Sequence, residues 1–279
     1  MLAEKQTAAL DGARLPFAEI WMADFEFVVG IGEKPRPVCM VAEEFWSGRQ
    51  IRLWEDELKE LNAAPFDTGP NACFVAYFAS AEFGCFLALG WPLPANTLDL
   101  FAEHRVVTNG TALPHGNGLL GAARHLGINT MGAHEKETMR ELIMTGGPWS
   151  AADRMAILDY CASDVELLRP LLAAMAPELV ITQQRLGHAV WRGRYMGAVA
   201  TMEHNGVPID TGVLGAINAN WQDIQEQLIS ETDRSYGVYD GRTFKADRFA
   251  AYLSANDIPW PRLDTGRLAL DDGTFRNMA

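Results

Sequence analysis

The sequence predicts an α/β domain, a mixed sheet flanked by helices, followed by a smaller and mostly helical region. Short β-branched and aromatic runs bounded by Gly and Pro alternate with a helical stretch between residues 19 and 101. From residue 119 onward apolar residues recur at helical spacing instead. With 279 residues and 48% hydrophobic content, the chain can build one large or two ordinary domains, each with a proper core.

Taken in order, Ile20-Trp-Met-Ala-Asp-Phe-Glu-Phe-Val-Val29 lies in a first strand over residues 19–29, and the prolines of Gly30-Ile-Gly-Glu-Lys-Pro-Arg-Pro37 forbid its continuation. Residues 38–45 and 50–54 are two further strands, and the short links suggest an antiparallel meander. Residues 72–79 form a fourth strand, 82–89 a helix ended by Gly90 and Pro92, and 97–101 a fifth strand. Three antiparallel strands, then strand-helix-strand, then helices, is the order of a ribonuclease H-like domain. Helices are expected over 119–126, 135–145 and 152–175, with Ser150 and Asp153 forming a capping box for the last. A break at Ala176-Pro177 divides the chain into domains 1–177 and 178–279. Beyond it come an amphipathic segment over 183–203, a turn at Asn205-Gly-Val-Pro208 and a helix near 213–236. The tail from Asp240, with Phe244, Phe249, Tyr252 and Trp260, reads as folded but too short for a separate catalytic domain.

The net charge of −13 argues against a protein that coats nucleic acid through bulk electrostatics. A nucleic-acid enzyme remains open, because carboxylates can hold divalent cations against phosphates while a few local basic residues track the strand. Cysteines 39, 73, 85 and 161 form no C-x-x-C pair, and no histidines stand at zinc-finger spacing, so neither a disulfide framework nor structural zinc is indicated. A reducing cytoplasm is the expected compartment. Residues 1–17 do not read as a signal or transit peptide, and no apolar run reaches membrane-spanning length.

Asp24 and Glu26 carry the most information. One residue apart in an apolar strand, they project from one face. Two like charges side by side are unfavourable unless a cation or a shared proton compensates, and a divalent metal is the economical explanation. Far downstream, Tyr160 and Asp164 stand at i and i+4 on one helix face. The strand-borne and helix-borne pairs can converge on one metal cluster.

Together Asp24 and Glu26, the segment Val75-Ala-Tyr-Phe-Ala-Ser-Ala-Glu82, and Tyr160 with Asp164 resemble the three exonuclease motifs of the DEDD superfamily, in its tyrosine branch. Residues 190–210, ending in Gly206-Val-Pro-Ile-Asp210, resemble the helix and turn that lead from proofreading exonuclease into polymerase in family A, DNA polymerase I-like enzymes, particularly phage-type members. The likeness spans about residues 19–210. Two departures stand out. Glu82 occupies a place usually held by Asp, and Phe78 one often held by Asn. The chain also reaches Ala279 before any palm or fingers motif, so it looks like the N-terminal portion of a longer protein, with a polymerase domain expected C-terminal to it.

The resemblance implies a metal-dependent 3′-5′ exonuclease that takes a single-stranded or frayed 3′ end of DNA in a bacterial or phage-infected cytoplasm. Two divalent ions, Mg²⁺ or Mn²⁺, would be its cofactors. Asp24, Glu26 and Asp164 would bind the metal that activates water, Asp24 would bridge to a second metal supported by Glu82, and Tyr160 would orient the water. Asp99 is a rival fourth carboxylate, with closure of a strand end as its favoured role. A histidine-type site would need His at position 159, which is Asp159, and His134 and His188 are off register. Phe25, Phe27 and Phe83 are candidates to stack on terminal bases, with core packing preferred for Phe27; Lys136, Arg192 and Arg194 are candidates to contact phosphates. Gly116-Asn-Gly-Leu-Leu-Gly121 matches a dinucleotide-binding pattern but follows no strand, and reads as a loop and helix start. The alternatives are a ribonuclease D-like exoribonuclease and a catalytically weak exonuclease-fold scaffold for a polymerase.

Overall fold

The computed structural model describes residues 15–129 and 133–278. In chain order these form β1 (Glu19–Val28), β2 (Arg36–Glu44), β3 (Gln50–Trp54), α1 (Glu55–Glu60), β4 (Ala72–Ala76), α2 (Ala79–Leu89), β5 (Thr97–Asp99), α3 (Leu100–Thr108), α4 (Leu119–His125), α5 (Ala133–Met144), α6 (Ala151–Leu179) and α7 (Gln183–Asn205). There follow α8 (Thr211–Ala219), α9 (Trp221–Asp233), the short strands β6 (Tyr239–Asp240) and β7 (Thr243–Phe244), α10 (Ala246–Ala255) and α11 (Asp272–Met278).

The five strands β1–β5 form a mixed sheet in the order β3-β2-β1-β4-β5. The first three are antiparallel, and β1–β4 and β4–β5 are parallel. This is the arrangement anticipated for a ribonuclease H-like domain. Side chains alternate along central β1: Ile20 and Met22 enter one core with Val41, Val75 and the α6 residues Ile157, Cys161, Val165 and Leu168. Trp21, Ala23 and Phe25 enter the other with Phe74 and the α2 residues Phe83 and Phe86. Asp24 pairs opposite Val41 and Glu26 opposite Cys39, so both acids continue the column that faces α6. The β1–β2 register shifts between Glu26 and Phe27, a bulge directly after the acid pair.

Several boundaries differ from expectation for physical reasons. β4 ends at Ala76 and α2 starts at Ala79, so Glu82 lies inside the first turn of a helix. The fifth strand stops at Asp99, whose carboxylate accepts the Ala102 N–H at 3.1 Å and starts α3 where a longer strand was expected. α1 was not foreseen. α6 runs unbroken to Leu179 through Pro170 and Pro177, because Leu168, Leu171, Leu172, Met175, Ala176 and Leu179 bury against the core. That burial outweighs the roughly 3 kcal/mol that an interior proline costs a helix. The helix expected near 213–236 is two helices meeting at Asn220.

The first compact unit therefore extends through Gly206 rather than ending at 177, with α7 belonging to it. α7 packs on α2 and β5. At Gly193 its backbone lies so near the sheet that an added Cβ would meet the Thr97 carbonyl oxygen at 2.1 Å, and at Gly197 one would meet Leu93 at 3.3 Å. These glycines permit the approach. The second unit, Val207–Ala279, has its own small core of Val238, Phe249 and Leu253 with Tyr239, Phe244, Tyr252, Trp260 and Leu268 packed against them. Among the described residues, no helix is long and apolar enough to cross a membrane.

Candidate metal centre

Parallel pairing with β4 covers only Glu19 to Met22 of β1, so the acid pair lies past the end of β4, where the start of α2 takes over. Ligand pockets in open α/β sheets form at such carboxyl ends of parallel strands. Here one carboxylate oxygen each from Asp24 and Glu26 and the Cys161 sulfur lie within 4.8 Å of one another. Cys161 Sγ is 3.2 Å from the Asp24 carbonyl oxygen and 3.6 Å from its Oδ2. Sequence reasoning weighed Cys161 only for disulfides and zinc and not for this site; its one signal is its place three residues before Asp164, which puts both on the inner side of α6.

α6 begins at a reciprocal cap in which Ser150 Oγ accepts the Asp153 N–H at 3.2 Å and Asp153 accepts the Ser150 N–H at 3.0 Å. It presents half-buried Tyr160 and Asp164, whose exposure is 8%. Burial first, and then the charges of Asp164, Glu26 and Asp24, push the Tyr160 phenol well above its ordinary value. The phenol keeps its proton at physiological pH. Cys161, adjacent to Tyr160 on α6, lies 3.6 Å from Asp24 Oδ2, which brings the strand-borne and helix-borne pairs into one neighbourhood.

Glu82 approaches from α2 and is 3% exposed. It accepts a hydrogen bond from the Phe25 N–H. Its Oε2 finds no hydrogen-bond partner among the described residues. Burial, then the charges of Asp24 and Glu26, raise its carboxyl well above the usual range. Carboxylates from two elements, one of them buried with an unpartnered oxygen, fit a divalent cation: hard oxygen donors with surplus negative charge.

Asp99 is fully buried too, but its oxygens are engaged. Oδ1 accepts from Phe78 N–H at 3.3 Å and Ala102 N–H at 3.1 Å, and Oδ2 from Ala79 N–H at 3.0 Å. It fastens the starts of α2 and α3, which leaves Glu82 the better-placed fourth acid.

The expected nucleic-acid contacts fare differently. Phe25 and Phe83 are 3% and 1% exposed and pack edge-on against Phe86, so both are core residues with no face for a base. Arg192 grips Glu103 with two hydrogen bonds of 2.6 and 2.7 Å. The Glu103 side chain is 3% exposed and that of Arg192 29%, so this pair ties α7 to α3 and engages the guanidinium expected to meet phosphate. Arg192→Ala is expected to lower unfolding free energy by about 2–3 kcal/mol in a urea titration, because it strands a buried carboxylate. A change below about 0.5 kcal/mol would contradict that role. Arg194 is exposed on α7, and the Lys136 and His134 side chains lie outside the described residues. His188 is exposed, and Asp159, five residues before Asp164, pairs with Arg52. The glycine pattern proves to be a loop and helix start: a Cβ on Gly121 would meet the carbonyl oxygens of Gly116 and His115 at 2.4 Å.

No family model matches the chain, and no curated protein matches it. Solved structures similar to it include the apo form of a nuclease, at 14% identity over 75% of this chain and 93% of that one, with a TM-score of 0.49. Escherichia coli RNase D, an exoribonuclease of structured RNA processing, is similar at 16% identity over 72% of this chain and 48% of its own, with a TM-score of 0.42. The POL domain of Pol1 from M. smegmatis is similar at 14% identity over 98% of this chain and 43% of its own, with a TM-score of 0.47. The chain thus spans about half the length of RNase D. The fold assignment rests on the strand order, and the chemistry on the residues of the site.

Proposed function

We propose that this chain is a divalent-metal-dependent 3′-5′ exonuclease domain, releasing nucleoside monophosphates from a single-stranded or frayed 3′ end of DNA. What supports this reading is the acid pair Asp24 and Glu26 of β1 standing within 4.8 Å of Cys161 on α6, with buried Glu82 on α2 and Tyr160 and Asp164 beside that cysteine on α6. When Mg²⁺ or Mn²⁺ is bound, such a site supplies charge neutralisation at the phosphate and an activated water. The protein's own groups supply position and proton control. Asp24 and Glu26 fix where a cation is held, and Glu82 can join them by giving up its proton. Tyr160 stays a hydrogen-bond donor, able to orient a water or a phosphate oxygen and unable to act as a base. The link to a polymerase domain further along the protein, and the preference for DNA, are supported by residues 190–210 alone.

The test is hydrolysis of a 3′-labelled single-stranded DNA and a matched RNA in Mg²⁺ or Mn²⁺, with a chelated control. Metal-dependent release of monophosphates from DNA is expected. A preference for RNA would move the substrate assignment, and no cleavage of either strand would overturn the nuclease reading. Within that assay, Tyr160→Phe is expected to lower kcat by about 10- to 100-fold with KM little changed, the value of one orienting hydrogen bond. An unchanged kcat would remove the phenol from the mechanism.

A further inference from the structure

His104 is a buried imidazole with nothing to bond. It stands on α3 with 1% of its surface exposed, and neither Nδ1 nor Nε2 finds a hydrogen-bond partner among the described residues. A neutral imidazole always carries one N–H to donate and one lone pair to accept, so two orphaned nitrogens in a folded interior point to a bound water or ion.

The neighbouring ring decides between these. His125, the exposed last residue of α4, sets its imidazole beside that of His104 with centroids 5.4 Å apart and planes at 73°. Since both His104 nitrogens are unpartnered, the two rings are not bonded to each other. Two imidazoles that share a tetrahedral zinc, with Zn–N distances of about 2.0–2.1 Å, place their centroids about 5 Å apart. A bridging water at hydrogen-bond distance from each nitrogen holds them about 6–7 Å apart at the same angle. The observed spacing matches the ion.

The charges nearby select which ion. Glu103, one residue before, has both oxygens engaged by Arg192, and Arg105, one residue after, is an exposed cation. Residues 104–134 contain no Asp or Glu. Among the described residues, the close group of metal-binding types that includes carboxylates is Asp24, Glu26 and Cys161, and neither histidine belongs to it. With no carboxylate to offset Arg105, a hard ion such as Mg²⁺ has nothing to hold it. Neutral imidazole nitrogen is a donor that suits Zn²⁺.

We infer that His104 and His125 form a zinc site separate from the carboxylate centre, with water completing the coordination. The ion ties α3 to α4 across the connection 109–118. Within that connection the Asn117 carbonyl accepts the Tyr77 hydroxyl, so the tie also steadies the chain that receives a residue just ahead of α2. No zinc-finger spacing announces the pair, because the two histidines meet only in the folded chain.

The experiment titrates the full chain carrying Asp24→Ala, which disables the carboxylate centre, with Zn²⁺ in excess Mg²⁺ by calorimetry. Binding of one ion per chain is expected, with a Kd of about 1–100 µM. Adding His125→Gln or His104→Gln should weaken it by at least about tenfold, and adding His188→Gln, an exposed histidine on α7, should leave it unchanged. In spectra of nitrogen-labelled histidine, Zn²⁺ should shift two of the six rings, and that pair of shifts should vanish in His125→Gln. Because His125 is exposed, its variant decides the matter should His104→Gln fail to fold. No binding, or binding undiminished in His125→Gln, would overturn the inference and leave a water as the partner of His104. Equal weakening by His188→Gln would overturn it too.

Discussion

Asp24→Ala is expected to lower kcat for strand hydrolysis by at least about a thousandfold, the loss of several kcal/mol of transition-state stabilisation. Asp24 stands with Glu26 and the Cys161 sulfur in one group within 4.8 Å, and its charge acts on both Glu82 and Tyr160. Its removal takes the common member from every pair. A second readout accompanies the first: calorimetric titration with Mn²⁺ should show binding to the wild type that the variant has lost. Retention of activity within about tenfold would mean that the chemistry lies elsewhere.

Glu82→Gln is expected to have opposite effects on stability and activity. The folded carboxyl sits well above its unfolded value of 4.5, so its contribution to stability is fully present below about pH 4.5 and is lost as pH rises through the folded value. At pH 7 to 8 the metal-free wild type therefore carries a cost that the neutral amide does not. The variant should unfold at a temperature roughly 2–8 °C higher in chelator, the effect of about 1–2 kcal/mol in a chain of this size. Adding Mg²⁺ should raise the midpoint of the wild type by mass action and leave the variant nearly unmoved. Activity should fall by about a hundredfold, and by more than in Asp99→Asn, whose oxygens serve backbone N–H groups. A variant less stable than wild type at pH 8 in chelator would show that Glu82 is not a strained acid. Equal activity, with collapse in Asp99→Asn, would exchange the roles of these residues.

The sheet, and the placing of each candidate pair on a single strand or helix, were legible because both depend on local periodicity. Alternation placed Asp24 and Glu26 on one face of β1, and helical spacing placed Tyr160 and Asp164 together; neither inference needs a distant partner. What escaped was decided by distant partners. Residues 100–108 carry Phe101, Val106 and Val107 and look half like a strand, but Asp99 caps them into a helix and Glu103 meets Arg192, 89 positions away. Arg192 thus looked like an exposed cation. Phe25 and Phe83 could have faced a strand of nucleic acid as easily as a core, and only the packing of α2 on β1 settles it. Proline read as a helix end at 176–177 because sequence cannot weigh one lost hydrogen bond against six buried side chains. Phe78 was noticed as a substitution in a motif; its exposed ring stands on a backbone at φ +74°, which no pattern of residue types records.

The close seat of α7 on β5 has a bearing on solubility. β5 is the last strand on its side of the sheet, and a bare edge offers unpaired N–H and C=O groups on which another chain can dock. With the helix backbone drawn down at Gly193, a foreign strand has no room to add itself there. A bulky residue at that glycine would pry the cover away, and clumping of otherwise folded molecules would be its first symptom.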